Sequence, residues 1–171
     1  MASRLRQIVL TDDVVAAQRE EGTHEQFAHT RGASATGDEP VVMPANVRDW
    51  LAQTDSFFLA TVASNGWPYM QHRGGEPGFV RVLDERRFAF DDVAGNGQML
   101  TVGNLKGNDR VMLFLIDYEQ SARLKIWGRA SVALATPGET AYEQRVRTIT
   151  VAVEAWNFNC SAFIPKLVRF D

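Results

Sequence analysis

Four short segments carry the residue types from which a ligand site can be built. In Gln71-His72-Arg73-Gly74-Gly75-Glu76-Pro77-Gly78 a strand end bearing polar and basic side chains runs into a glycine-rich loop. Glycines let a ligand approach the backbone, and the guanidinium of Arg73 can fork onto a phosphate. The competing reading is a hairpin loop with an exposed arginine. Asp91-Asp92-Val93-Ala94-Gly95-Asn96-Gly97-Gln98 leads from a strand towards a helix, so backbone N–H groups at Gly95, Asn96, Gly97 and Gln98 would form an anion seat backed by the positive end of the helix dipole. The plainer alternative is a helix cap by Asn96. Alternation along Arg123-Leu124-Lys125-Ile126-Trp127 places Arg123, Lys125 and Trp127 on one strand face, either a ligand wall or a solvated sheet surface. Trp156-Asn157-Phe158-Asn159-Cys160 combines aromatic rings with amides, which suits stacking on a planar ligand or plugging one end of a barrel.

Other chemistries find little footing. The histidines are His24, His29 and His72 and the lone cysteine is Cys160, so a Cys-rich zinc site is excluded and no metal is expected. No serine lies in a G-x-S-x-G elbow.

These residues need elements to hold them. Thr11 caps a short helix that ends at Gly22, and Pro44 and Asn46 open another in which Val47, Trp50, Leu51 and Thr54 recur at helical spacing. Between them lies a small, polar stretch without periodicity. From Phe57 the pattern turns to strands: the runs 57–63 and 67–73 flank Asn65-Gly66, a hairpin signal, and 79–83 with 88–90 and 111–117 with 123–134 make two more pairs. Arg147 to Ala155 returns as a last strand, while Gly95–Leu105 and Pro137–Val146 read as short helices. Short turns and few helices favour an antiparallel meander closing into a small barrel over a parallel βαβ sheet. The expected division is an N-terminal helical and extended arm over 1–45 and a barrel domain over 46–171.

Composition narrows the function classes. The chain has 171 residues, with 45% hydrophobic and 23% charged, which suits one globular domain. A net charge of -3 without a basic stripe argues against nucleic acid. No apolar run approaches the ~20 residues that span a bilayer, and no signal core opens the chain, so no membrane role and a cytoplasmic location are expected.

Taken in order, the segments resemble the pyridoxamine 5'-phosphate oxidase-related FMN-binding proteins, the split-barrel flavoproteins. The likeness runs from about Val47 to Phe170. It rests on Phe58-Leu59-Ala60-Thr61-Val62, Asn65-Gly66 with Pro68, Arg73-Gly74-Gly75 followed by Pro77-Gly78-Phe79-Val80-Arg81-Val82-Leu83-Asp84, Gly95-Asn96 with Gly103-Asn104-Leu105, Arg123-Leu124-Lys125-Ile126 with Gly128-Arg129-Ala130, and Trp156-Asn157 with Asn159-Cys160 before Ile164-Pro165-Lys166. The resemblance implies a mainly β fold, a six-stranded antiparallel split barrel with flanking helices, paired as a homodimer with FMN at the subunit interface. It implies that Gln71, His72, Arg73 and Gly74 line the flavin ring and ribityl chain. Phe90, Asp91, Gly95, Asn96, Gly97 and Gln98 would hold the phosphate, Arg123, Trp156 and Asn159 would approach the ring from the partner, and Arg123 or Lys125 near the ring would stabilise the anionic reduced flavin. The implied activity is an FMN-dependent oxidoreductase with a small-molecule electron donor or acceptor. Two departures stand out. The loop Gly95-Asn96-Gly97-Gln98 lacks the Arg or Lys common around the phosphate, and the tail Phe163-Ile164-Pro165-Lys166-Leu167-Val168-Arg169-Phe170 lacks the Trp- and Arg-bearing clamp of true pyridoxamine phosphate oxidases, which argues against vitamin B6 as substrate. The alternatives are a non-catalytic flavin-binding or dimeric interaction protein, or a split barrel using deazaflavin or haem.

Overall fold

The computed structural model describes residues 4–27, 41–93, 97–135, 146–159 and 161–167. Its centre is one antiparallel sheet built from β1 (Ser56–Val62), β2 (Pro68–Gly74), β3 (Val80–Val82), β4 (Arg87–Val93), β5 (Arg110–Asp117), β6 (Ala122–Leu134) and β7 (Val146–Asn159). The sheet holds seven strands rather than six, in the order β2-β1-β5-β6-β7-β4-β3. A simple meander is not formed: β1 pairs with β5 and β4 with β7, so only the local hairpins follow chain order.

Turn chemistry sets those hairpins. Between β1 and β2 the Gly66 N–H donates to the Ala63 carbonyl at 2.8 Å, Gly66 takes a φ of 88°, and the Asn65 side chain accepts from the Trp67 N–H at 3.2 Å. A left-handed position following a tight turn is where glycine costs least. Between β3 and β4 the Asp84 carboxylate accepts the N–H groups of Arg86 and Arg87, each at 2.8 Å. The Arg86 N–H, followed by the Arg87 side chain, holds that carboxyl below its ordinary pKa.

The sheet curls until its ends meet. Phe57 on β1 packs edge-on against Phe90 on β4 at 5.1 Å, although several strands separate them in the sheet. Leu59, Leu113, Leu115, Leu124, Ile126, Ile149 and Val151 fill the interior, each essentially without solvent exposure. No ladder joins β2 to β3 among the described residues, which leaves the barrel split. At Gly128 the β6–β7 register shifts, and a Cβ there would strike the Ala152 carbonyl. Glycine therefore permits the close approach of two long strands.

Helices cover what the sheet leaves open. In α1 (Arg4–Val9) Leu5 is buried, and Arg4 donates to Glu154 of β7 at 2.7 Å. Thr11 caps α2 (Asp12–Glu20), accepting from the Val14 N–H at 3.4 Å, and Gly22 follows with a φ of 68°. After the one-turn α3 (His24–Phe27) comes α4 (Ala45–Gln53), which buries Val47 and Leu51 as their spacing predicts. The last described helix, α5 (Leu100–Gly107), begins later than Gly95. Its N-cap is Met99 in a left-handed conformation, without a capping side chain. The helix expected over Pro137–Val146 lies almost wholly outside the described residues, and Val146 itself begins β7. No described helix is long and apolar enough to cross a membrane.

Candidate functional site

Alternation on β2 sends Tyr69, Gln71 and Arg73 to one face, opposite Thr61, Leu59 and Phe57 of β1. That face points towards α5 and β4. Arg73 donates through Nη2 to Thr101 Oγ1 at 2.9 Å and pairs through Nη1 with Asp92 at 2.5 Å. Thr101 donates in turn to Gln71 Oε1 at 3.2 Å, which also accepts from the Tyr69 hydroxyl at 3.2 Å. The Asp92 side chain keeps 7% of its surface exposed and that of Arg73 14%, and Arg73 Nε is buried without a hydrogen-bond partner. A buried orphan donor is costly, so this guanidinium is held in place by its neighbours rather than by its own full satisfaction.

These residues line a cavity of about 200 Å³, closed on the remaining side by Val93, Gln98, Met99, Leu100 and Val102. The start of α5 therefore faces the cavity, with Thr101 buried in its first turn. Among the described lining residues Arg73 is the single cation and Asp92 the single anion, so the two formal charges cancel. The arrangement gathers a guanidinium, two hydroxyls and amide groups around the cavity, with the guanidinium and both hydroxyl protons engaged inside the cluster and one carboxylate opposing any oxyanion.

A second set lies on the outer sheet face. Register places His72, Phe58, Phe114, Lys125 and Asn157 in one row across β2, β1, β5, β6 and β7. Met70, Ala60, Met112 and Trp127 form the adjacent row. Met70 is 63% exposed, Phe58 37% and Trp67, at the hairpin tip, 73%. Lys125 lies over the Phe114 ring at 5.8 Å, Arg123 donates to the Ala162 carbonyl at 3.0 Å, and Asn157 Oδ1 is buried without a partner. The outer face is thus an apolar floor edged by two cations and two amides.

The sequence-predicted residues therefore divide. Gln71, Arg73 and Gln98 meet at the cavity, while His72, Arg123, Lys125 and Asn159 belong to the outer face. Gly74 ends β2 beside His72, where a Cβ would approach Cε1 to 3.0 Å. Gly97 takes a φ of 75° and precedes the α5 cap, so its N–H is not part of the helix start. Gly95 and Asn96 lie outside the described residues. Phe90 is a core residue with no exposed surface and offers a ligand nothing. Asp91 turns the other way from Asp92, pairing with Arg81 at 2.7 Å and accepting from Thr148 at 3.2 Å. Trp156 packs against its own core and donates from Nε1 to the Val42 carbonyl at 3.2 Å, so it does not share a face with Asn159. Asp92, Thr101 and Tyr69 belong to the site without having been singled out. Of these only Tyr69 left a signal, its two-residue spacing from Gln71 and Arg73.

Residues 43–160 match the pyridoxamine 5'-phosphate oxidase family, and the chain belongs to it. Solved structures agree on the fold. A candidate pyridoxamine 5'-phosphate oxidase from Lactobacillus delbrueckii superposes with a TM-score of 0.53 at 17% identity, covering 67% of this chain and 93% of its own. HupZ of Group A Streptococcus gives 0.53 at 17% identity, over 67% and 92%. An F420 reductase gives 0.50 at 16%, over 67% and 98%. No curated protein matches the chain.

Proposed function

We propose that this chain is a homodimeric FMN-binding oxidoreductase of the split-barrel type, acting with a small-molecule electron donor or acceptor other than vitamin B6. The observation that carries this reading is the Arg73–Thr101–Gln71–Tyr69 cluster at the start of α5, in a chain of this family. Its donors fit a phosphate. Arg73 brings the charge, and the Thr101 hydroxyl and the N–H groups opening α5 add neutral donors. At about 200 Å³ the cavity accommodates the phosphate and part of the ribityl chain, with the ring left to the sheet edge and the outer face. FMN, when bound, supplies the electron transfer. Arg123 and Lys125 would then stabilise negative charge at the ring, and the exposed apolar rows of the outer face would close against a second copy.

Flavin titration tests this reading. The purified protein should take up one FMN per subunit, prefer it to FAD and riboflavin, and lose FMN far more than riboflavin in Arg73→Ala. Equal losses for both flavins would remove Arg73 from the phosphate. The buried Asp92 favours a second reading, a chain that uses deazaflavin or haem, or that has lost flavin and serves as a dimeric interaction module. The absorption spectrum separates these: a flavin band, a deazaflavin band, a Soret band or none.

A further inference from the structure

A guanidinium meant for an incoming anion is here already engaged by a carboxylate of its own chain. Arg73 spends one end on Asp92 and the other on Thr101, and its Nε is enclosed without a partner. An anion reaching Arg73 in this cavity therefore finds the guanidinium already neutralised by Asp92. Like charges brought together in a site with little water repel strongly, so Asp92 must turn away for the anion to bind.

The sheet provides a place for it to turn. Asp92 on β4 stands directly opposite Arg147 on β7. Side chains at directly opposed positions share a face with Cβ atoms roughly 5 Å apart, within reach of an ion pair. Arg147 makes no ion pair among the described residues; its Nη1 contacts the sulfur of Met99, a residue lining the cavity, at 3.8 Å. Asp91, the other acid of this strand segment, is held on the opposite face by Arg81 and Thr148 and does not compete.

We propose that Asp92 is an exchangeable counter-ion that sets the anion affinity of this cavity: it occupies Arg73 when the site is empty and passes to Arg147 when a phosphate takes its place. Asp92 thus disfavours loosely matched anions, and Arg147 is a positioning residue that acts through Asp92 without touching the ligand. The inference rests on the phosphate seat proposed above and adds to it the identity of the opposing group and of its second partner.

The experiment is a double-mutant cycle read by calorimetric titration of inorganic phosphate, with FMN and riboflavin titrated alongside. Asp92→Asn should tighten phosphate and FMN by about tenfold and leave riboflavin unchanged. Arg147→Gln should weaken phosphate severalfold in the wild-type background and have no effect in the Asp92→Asn background, because an uncharged side chain needs no second partner. Unchanged or weaker phosphate binding in Asp92→Asn overturns the proposal, as does an equal effect of Arg147→Gln in both backgrounds or no phosphate binding by any variant. If Asp92→Asn does not fold, Asp92→Ser keeps a small acceptor for Arg73 and carries the same expectations. A wild-type protein that binds no flavin, with phosphate still following the cycle, overturns the FMN reading alone.

Discussion

Arg73 and Asp92 depend on each other before any ligand arrives. Removing one member of a buried pair leaves the other as an uncompensated charge, at a cost of about 3–5 kcal/mol where the pair is fully enclosed. Arg73 keeps a little solvent contact, so Arg73→Ala should cost towards the lower end, read as a fall in the melting temperature of the flavin-free protein. Arg73→Ala in an Asp92→Asn background should recover much of that loss, since the abandoned charge is gone. Trp156 makes a different case. With its ring against the core and its N–H on the Val42 carbonyl, Trp156→Phe should lower apoprotein stability by about 1–3 kcal/mol and leave the flavin spectrum unaltered. A spectral shift without destabilisation would return Trp156 to the ligand wall.

At the scale of elements, α1 is tied to the sheet by Glu154, which accepts from Arg4 at 2.7 Å and from Arg129 at 2.8 Å, while Arg129 also reaches Asp109 at 2.9 Å. Burial alone would push the Glu154 carboxyl up. The hydrogen bonds from Arg129 and Arg4, with their charges, outweigh it and hold the carboxyl below the usual carboxylate range. A carboxylate depressed in the folded state contributes stability above its unfolded pKa and loses it as pH falls through the folded value. Protection of the α1 amides, measured against their intrinsic exchange rates, should therefore be full at neutral pH and fall as acid protonates the Glu154 carboxylate, and Glu154→Gln should flatten that dependence. Elements like these differ in how far the chain announces them. The Thr11 cap, the Asn65-Gly66 hairpin and the spacing of Val47 and Leu51 are local signals, and each element appears where they put it. The start of α5 is not, because Met99 caps it with backbone conformation and no side chain. Three consecutive buried residues, Phe88, Ala89 and Phe90, hide the parity of β4, which is why Phe90 and Asp91 read as ligand residues while Asp92 did not. Its partner Arg73 comes from another strand, and no local pattern connects them.

For the whole molecule, the proposed function makes the outer face the seat of assembly. In the proposed dimer Phe58 and Met70, with Trp67 exposed at the adjoining hairpin tip, supply apolar surface for a second copy to cover, and the Lys125 and Arg123 edge would give that copy polar landmarks. Sedimentation should show a dimer at micromolar concentration. Phe58→Glu, placed between His72 and Phe114, should shift it to monomer and weaken flavin binding together. A stable wild-type monomer would remove the shared-site reading. The Gly128 crossing offers a check on the sheet itself: Gly128→Ala drives a methyl into the Ala152 carbonyl and should destabilise by at least about 1–3 kcal/mol, visible in denaturant titration.

The strand order also governs how the chain can reach this state in time. Among the described strands the β3–β4 hairpin joins the rest of the sheet through β7 alone, and β7 follows β4 by more than fifty residues in the chain. During translation β3 and β4 emerge well before β7, so Phe88 and Phe90 lack their neighbours Val151 and Ile149 until β7 has left the ribosome. Contacts this distant along the chain place folding in the millisecond-to-second range expected of non-local β topologies. Over that interval the nascent hairpin presents an unpaired β edge and buried-to-be aromatics, which is the surface a holding chaperone would recognise.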